Sequence, residues 1–214
     1  MKSIRTRSIG KKNIVIVSAL AAMLLIGASF AYFVDRDAVT NHFTVGDVEI
    51  SVSEPDWVPE DGELITPKKE IMKNPKITND GANDAYVFMS VKIPRAEVQT
   101  AADDGSLIPA EEQDLFTYQI NSNWKLIKTN QESDHSEYIY GYVDSNGKMS
   151  ALKPGAATNA LFDSVRFINI VEEQIDGQEL DIDIDTMGIQ IADLGTEDPM
   201  AIYNIIMNQQ QRDI

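Results

Sequence analysis

Cysteine is absent from all 214 residues. That excludes a disulfide scaffold, thiolate-ligated zinc, iron–sulfur clusters and thiol catalysis. Histidine is nearly absent, with only His42 and His135. Neither stands in a His-Glu-x-x-His helix or beside a Gly-x-Ser-x-Gly elbow. A two-histidine zinc site would need both rings to converge with a carboxylate, which no local spacing provides. Positive charge is scarce as well: 18 Lys and Arg face 34 Asp and Glu, a net charge of −16. Such a surface repels phosphate backbones, and no Gly-rich phosphate loop or basic–aromatic pattern offsets it. Nucleic acid is therefore excluded as a partner, and anionic membranes are disfavoured. No catalytic residue, metal ligand or cofactor is assigned on these grounds, and the chain is not read as an enzyme.

What basic charge there is clusters at the start. Lys2, Arg5, Arg7, Lys11 and Lys12 precede an apolar run from Ile14 to Ala31. The run closes on Ser29-Phe30-Ala31, a small-x-small site, and the chain then turns acidic. A basic segment, an apolar segment and small residues at −3 and −1 are the features a signal peptidase reads, with cleavage between Ala31 and Tyr32. Residues 1–31 are thus expected to be a signal peptide and the remainder to be exported. The alternative is an uncleaved anchor, because Ile14–Val34 reaches the length of about 20 residues that spans a bilayer. After cleavage, 13 basic residues would face 34 acidic ones, a net charge of −21. An exported chain without disulfides must be held by its core, and about 180 residues suffice for one.

The exported part reads as strands. Phe43–Val52 alternates at Val48, Ile50 and Val52, the period-2 pattern of a half-buried strand. Glu54–Asn83 is rich in Pro, Asp, Gly and Lys and reads as a long surface connection with one short strand at Lys76–Thr78. Ala85–Ile93 is the strongest strand, bounded by Asn79-Asp-Gly81 and by Pro94. Arg95–Glu112 reads as a loop or short helix. Phe116–Ile120 and Trp124–Lys128 flank Asn121-Ser-Asn123 as a hairpin would. Glu137–Val143 ends at the turn Asp144-Ser-Asn-Gly147. Leu152-Lys-Pro-Gly155 is a further turn, Ser164–Ile170 a further strand, and Leu180–Asp185 alternates onward to Ile191. Asp198-Pro199 resembles an N-cap followed by Pro, with Met200, Ile202, Tyr203, Ile206 and Met207 at helical spacing. The prediction is an all-β, jelly-roll-like β-sandwich over 45–208, with long loops and a short C-terminal helix. An N-terminal segment, 32–44, precedes it and a disordered tail, 209–214, follows it.

Two further patterns were weighed. Asp181-x-Asp183-x-Asp185 begins like a calcium loop, but Thr186 stands where Gly is required and Ala192 where the bidentate Glu is required. It reads better as an acidic strand face. Tyr138, Tyr140 and Tyr142 share one face of a strand, either as an exposed binding stripe or as a wall packed under a loop.

The order of these segments resembles the TasA/camelysin family of exported Gram-positive proteins. The resemblance rests on Ala31-Tyr-Phe-Val-Asp35, on Asn41-His-Phe-Thr-Val-Gly-Asp-Val-Glu-Ile-Ser51, and on Asn74–Gly81 with Ala85-Tyr-Val87. Leu152–Gly155 with Leu161–Val165, and Gly188–Ile191 before the last helix, extend it. It implies a signal cut by a SipW-type signal peptidase, a jelly roll, and self-assembly into extracellular biofilm-matrix fibres, alone or with other matrix proteins. Subunits would join by donor-strand exchange, with about Tyr32–Thr44 as donor and Phe33, Val39, Phe43 and Val45 on one parity facing the next subunit. The competing expectation makes this segment the first strand of its own domain. A secreted camelysin-like metallopeptidase and a monomeric fibre-accessory or adhesin protein are the alternative functions.

Overall fold

Ala85–Ile93, β-branched and aromatic, forms the first half of the longest strand, β5 (Ala85–Ala101). The computed structural model describes residues 48–58, 62, 65–171, 174–175 and 178–210, together with the backbone of 42–45. β5 is flanked antiparallel by β11 (Asp183–Gln190) and by β9 (His135–Tyr142). β8 (Trp124–Gln131) extends the sheet beyond β9, and β1 (His42–Val45) extends it beyond β11. The far half of β5 turns back as a hairpin with β6 (Leu107–Asp114). A three-stranded sheet orders β3 (Glu70–Met72), β10 (Ser164–Phe167) and β7 (Phe116–Tyr118), and β2 (Ile50–Ser53) pairs with β4 (Lys76–Asn79).

The period of two decides where the core lies. Val87, Met89, Val91 and Ile93 point from β5 into a cluster with Ile50, Ile71, Ile77, Phe116, Val165 and Phe167 of the smaller sheets. Tyr86 and Phe88 point the other way, onto Ile139, Met187 and Ile189 and onto Ile202, Tyr203 and Ile206 of helix α1 (Pro199–Gln210). The large sheet is therefore covered on both faces along this stretch, which is why β5 is apolar at nearly every position. Each fully buried side chain such as Phe88, Met89 or Ile206 contributes on the order of 2 kcal/mol from area removed from water. The expected all-β sandwich with one C-terminal helix is what forms.

Local chemistry sets the ends. Asp198 Oδ1 accepts the Ala201 N–H at 2.8 Å, capping α1, and Pro199 follows it. Asp144 Oδ1 accepts the amides of Asn146 and Lys148 at 2.9 and 3.0 Å, and Gly147 supplies the left-handed φ of 74° that closes the turn. The helix runs through Gln209 and Gln210; residues 211–214 lie outside the described ones. Among the described residues no helix is long and apolar enough to cross a membrane.

Four segments depart from the sequence reading. Phe43–Val52 is two strands in different sheets, β1 and β2, rather than one. Pro94 does not end a strand; it lies where β5 exchanges β9 for β6, and Arg95 N–H turns to Asp134 O at 2.8 Å. Arg95–Glu112 is accordingly a β-hairpin, closed at Gly105 with φ 84° and an Asp104 side chain that caps Ser106. Asn121-Ser-Asn123 joins β7 to β8 across two sheets instead of forming a hairpin. Within Glu54–Asn83, Ile71 and Ile77 enter the core, and buried Lys73 pairs with Glu54 at 2.8 Å under the Trp57 ring.

Candidate functional site

One candidate surface for binding another chain is the end of the large sheet where β1 lies beside β11. β11 uses all eight residues against β5, and among the described residues β1 covers four of them on the other side. The pairing is parallel, His42 with Thr186 through Val45 with Ile189, whereas every other strand pair described is antiparallel. β1 and β11 come from opposite ends of the chain, so no tight turn ties them together. Beneath this edge the packing is close. A Cβ on Gly188 would stand 2.9 Å from Val48 Cγ1 and 3.1 Å from Ile50 Cδ1, so only glycine fits there. Thr186 is fully buried, and among the described residues its Oγ1 has no hydrogen-bond partner.

The expected site residues distribute as follows. Phe43 and Val45 lie in β1, their backbones opposite Met187 and Ile189. Ser29, Ala31, Tyr32, Phe33 and Val39 lie outside the described residues. The pairing of β1 with β11 was not read from the sequence; Gly188 inside a strand pattern marks the close backbone approach there.

Chemistry is thinner elsewhere. His42 is in β1 and His135 opens β9, where its Nδ1 lies 2.8 Å from Asp134 Oδ1. His135 borders a shallow depression of about 360 Å³ with Lys92, Pro94, Asp134, Asp181 and Asp183. Among the described residues no three His, Asp or Glu side chains are grouped so as to hold a metal. Asp185 is 3.5 Å from Lys92 Nζ, as suits an acidic strand face. Beside it Glu137 accepts Ser90 Oγ and Asn130 Nδ2, both at 2.8 Å. Burial raises the Glu137 carboxyl, but these two hydrogen bonds and Lys92 outweigh it and hold the group below its ordinary value.

The tyrosine stripe faces inward. Tyr140 OH lies 2.9 Å from Tyr118 OH, Tyr138 OH donates to Asp114 Oδ2 at 2.5 Å, and Tyr142 meets Trp124 edge-on at 5.3 Å. Burial, then the hydrogen bond and charge of Asp114, push Tyr138 up to about 12. Burial likewise raises Tyr118 and Tyr140. The stripe is a packed wall.

Comparison with known proteins agrees with the resemblance read from the segments. A sequence model described as camelysin metallo-endopeptidase matches residues 8–139, a span that ends within β9. No curated protein and no solved structure matches the chain.

Proposed function

The chain belongs to the camelysin family, and from that premise we propose that it is a secreted structural protein that polymerises into extracellular matrix fibres by N-terminal strand exchange. The β1–β11 pairing carries the proposal. A four-residue parallel strand, remote in sequence from its partner, is replaceable by the same strand of another copy at little cost in free energy, since each pairing reproduces the other. The vacated edge offers free backbone groups that favour such an insertion. Exchange from copy to copy is head-to-tail and does not close on itself, so it yields filaments rather than rings.

Signal cleavage after Ala31 acts as the switch in this reading. Until Tyr32 is freed, the donor segment with Phe33, Val39, Phe43 and Val45 is tethered to the membrane. The test is negative-stain electron microscopy of protein beginning at Tyr32, beside protein beginning at Gly46. The longer chain should form regular thin filaments, and the shorter should stay dispersed with its β-sheet circular dichroism intact. Filaments from the shorter chain, or none from the longer, overturn the proposal.

A further inference from the structure

Two strands have a partner on one side only and are long enough to template another chain. Among the described residues β6 pairs with β5 alone, and β8 with β9 alone. Each is eight residues long. Free edges of this kind are ordinarily blunted with charge, proline or bulges. Pro109 stands in β6, and β8 has a register shift at Leu126–Lys128, so the edges are partly guarded.

The charges on them do something else. β6 carries Glu111, Glu112 and Asp114 and no base, whereas β8 carries Lys125 and Lys128 and no acid. In a chain with 34 acidic and 18 basic residues, an acid-free edge bearing two lysines runs against the composition. Had charge served only to keep copies apart, acids on both edges would have done so. Like charges on facing strands destabilise a pair and opposite charges stabilise it. Pairing of β6 with β6, or of β8 with β8, is therefore opposed, and pairing of β6 with β8 is favoured. Both edges also expose large apolar side chains: Leu107 at 61% and Ile108 at 40% on β6, and Leu126 at 45% on β8.

We infer that β6 of one copy pairs with β8 of a second copy, continuing the large sheet from molecule to molecule. The contact joins unlike surfaces, so it is head-to-tail and leaves a free β6 and a free β8 edge for further copies. It uses edges that β1 does not occupy, so it operates beside strand exchange and does not depend on it. Glu111 and Glu112 of one copy supply the charge that selects Lys125 and Lys128 of the next.

The chain lacks cysteine, which makes the contact easy to trap. Protein from Tyr32 onward contains every described core residue, from Val48 to Ile206. One sample carries Ala110→Cys in β6 and a second, of distinguishable mass, carries Thr129→Cys in β8, both at exposed positions. The two are mixed and treated with a short bis-maleimide. The mixed dimer should exceed either same-variant dimer by about tenfold. Adding Glu111→Lys and Glu112→Lys to the first sample should suppress it, and adding Lys125→Glu and Lys128→Glu to the second should restore it. Lys128 also lies 5.7 Å from the Tyr203 ring, so Lys125→Glu with Gln131→Glu, at an exposed position of β8, gives a second reversal that leaves that contact alone. A mixed dimer no commoner than the same-variant ones, or one indifferent to charge reversal, overturns the inference. Filaments built through β1 pass through neither edge and survive those substitutions, so failure here leaves the strand-exchange reading standing.

Discussion

Asp114 ties together the point where β5, β6 and β9 meet. It accepts Ser136 Oγ at 2.6 Å and Tyr138 OH at 2.5 Å, and Arg95 Nε lies 3.4 Å away. Arg95 also donates to the Glu132 and Glu112 carbonyls at 3.1 and 3.2 Å, so one guanidinium spans the junction. Buried phenols with a carboxylate neighbour resist ionisation, which gives these residues an alkaline signature. The folded value of Tyr138 is about 12, above the unfolded value of roughly 10. The stability it contributes is therefore complete below about pH 10 and is lost as the pH climbs through the folded value. Tyr118 and Tyr140 are shifted in the same direction. Of the seven tyrosines, these three should ionise late, together with the loss of β-sheet signal, and burial shifts Tyr86 and Tyr203 in the same direction. Phenolate absorbance and circular dichroism recorded on one titration check this; seven tyrosines ionising together in a folded chain would refute it.

At the level of elements, α1 shows how a short polar signal and an apolar stripe combine. Ile202 and Ile206 are fully buried against Phe88 and Ile139, while Asp198 holds the first turn. Asp198→Ala should lower stability by about 1 kcal/mol and Ile206→Ala by about 2–5 kcal/mol, read as shifts of the urea midpoint at unchanged slope. Equal losses from the two would mean that the cap does more than satisfy an amide. This helix was legible because its cap, its proline and its 3.6-residue period agree. The first half of β5 was legible as a β-branched and aromatic run bounded by turn residues, and β9 and β11 in large part from alternation bounded by turns. Arg95–Glu112 was not, because glutamate and alanine score poorly as strand formers and their pairing depends on a hairpin partner. Pro94 misled because its missing N–H is harmless where a strand changes neighbours. The separation of β1 from β2 did leave a trace: Phe43 and Val45 are odd-numbered whereas Val48, Ile50 and Val52 are even, so the apolar alternation changes phase between them. The pairing of β1 with β11 was not legible, because it joins segments from opposite ends of the chain and is a property of topology.

For the whole molecule, charge opposes the assembly that the edges favour. Residues 32–214 carry 13 basic and 34 acidic groups, so two copies approaching each other repel before any strand meets its partner. That repulsion acts over roughly 10 Å at 0.1 M salt, whereas paired edge charges sit in contact and are screened less. Salt and mild acid should therefore speed encounter more than they weaken the contacts formed afterwards. Acid has a second effect that sets a limit. Glu137 titrates below its ordinary value, so its contribution to stability is present above the glutamate range, roughly pH 4–5, and is lost as the pH falls through the lowered folded value. Between those effects lies a window near pH 5 in which surface carboxylates begin to neutralise while the hydrogen bonds from Asn130 and Ser90 keep Glu137 ionised and the sheet intact. Light scattering of protein from Tyr32 onward should show assembly accelerating from pH 7.5 to about 5, and near neutrality from 20 to about 200 mM salt. Circular dichroism should stay unchanged throughout. If the rate ignores both variables, repulsion between copies does not control assembly; if it rises only where the sheet signal falls, the aggregating species is unfolded chain and the fibre is not built from the sandwich.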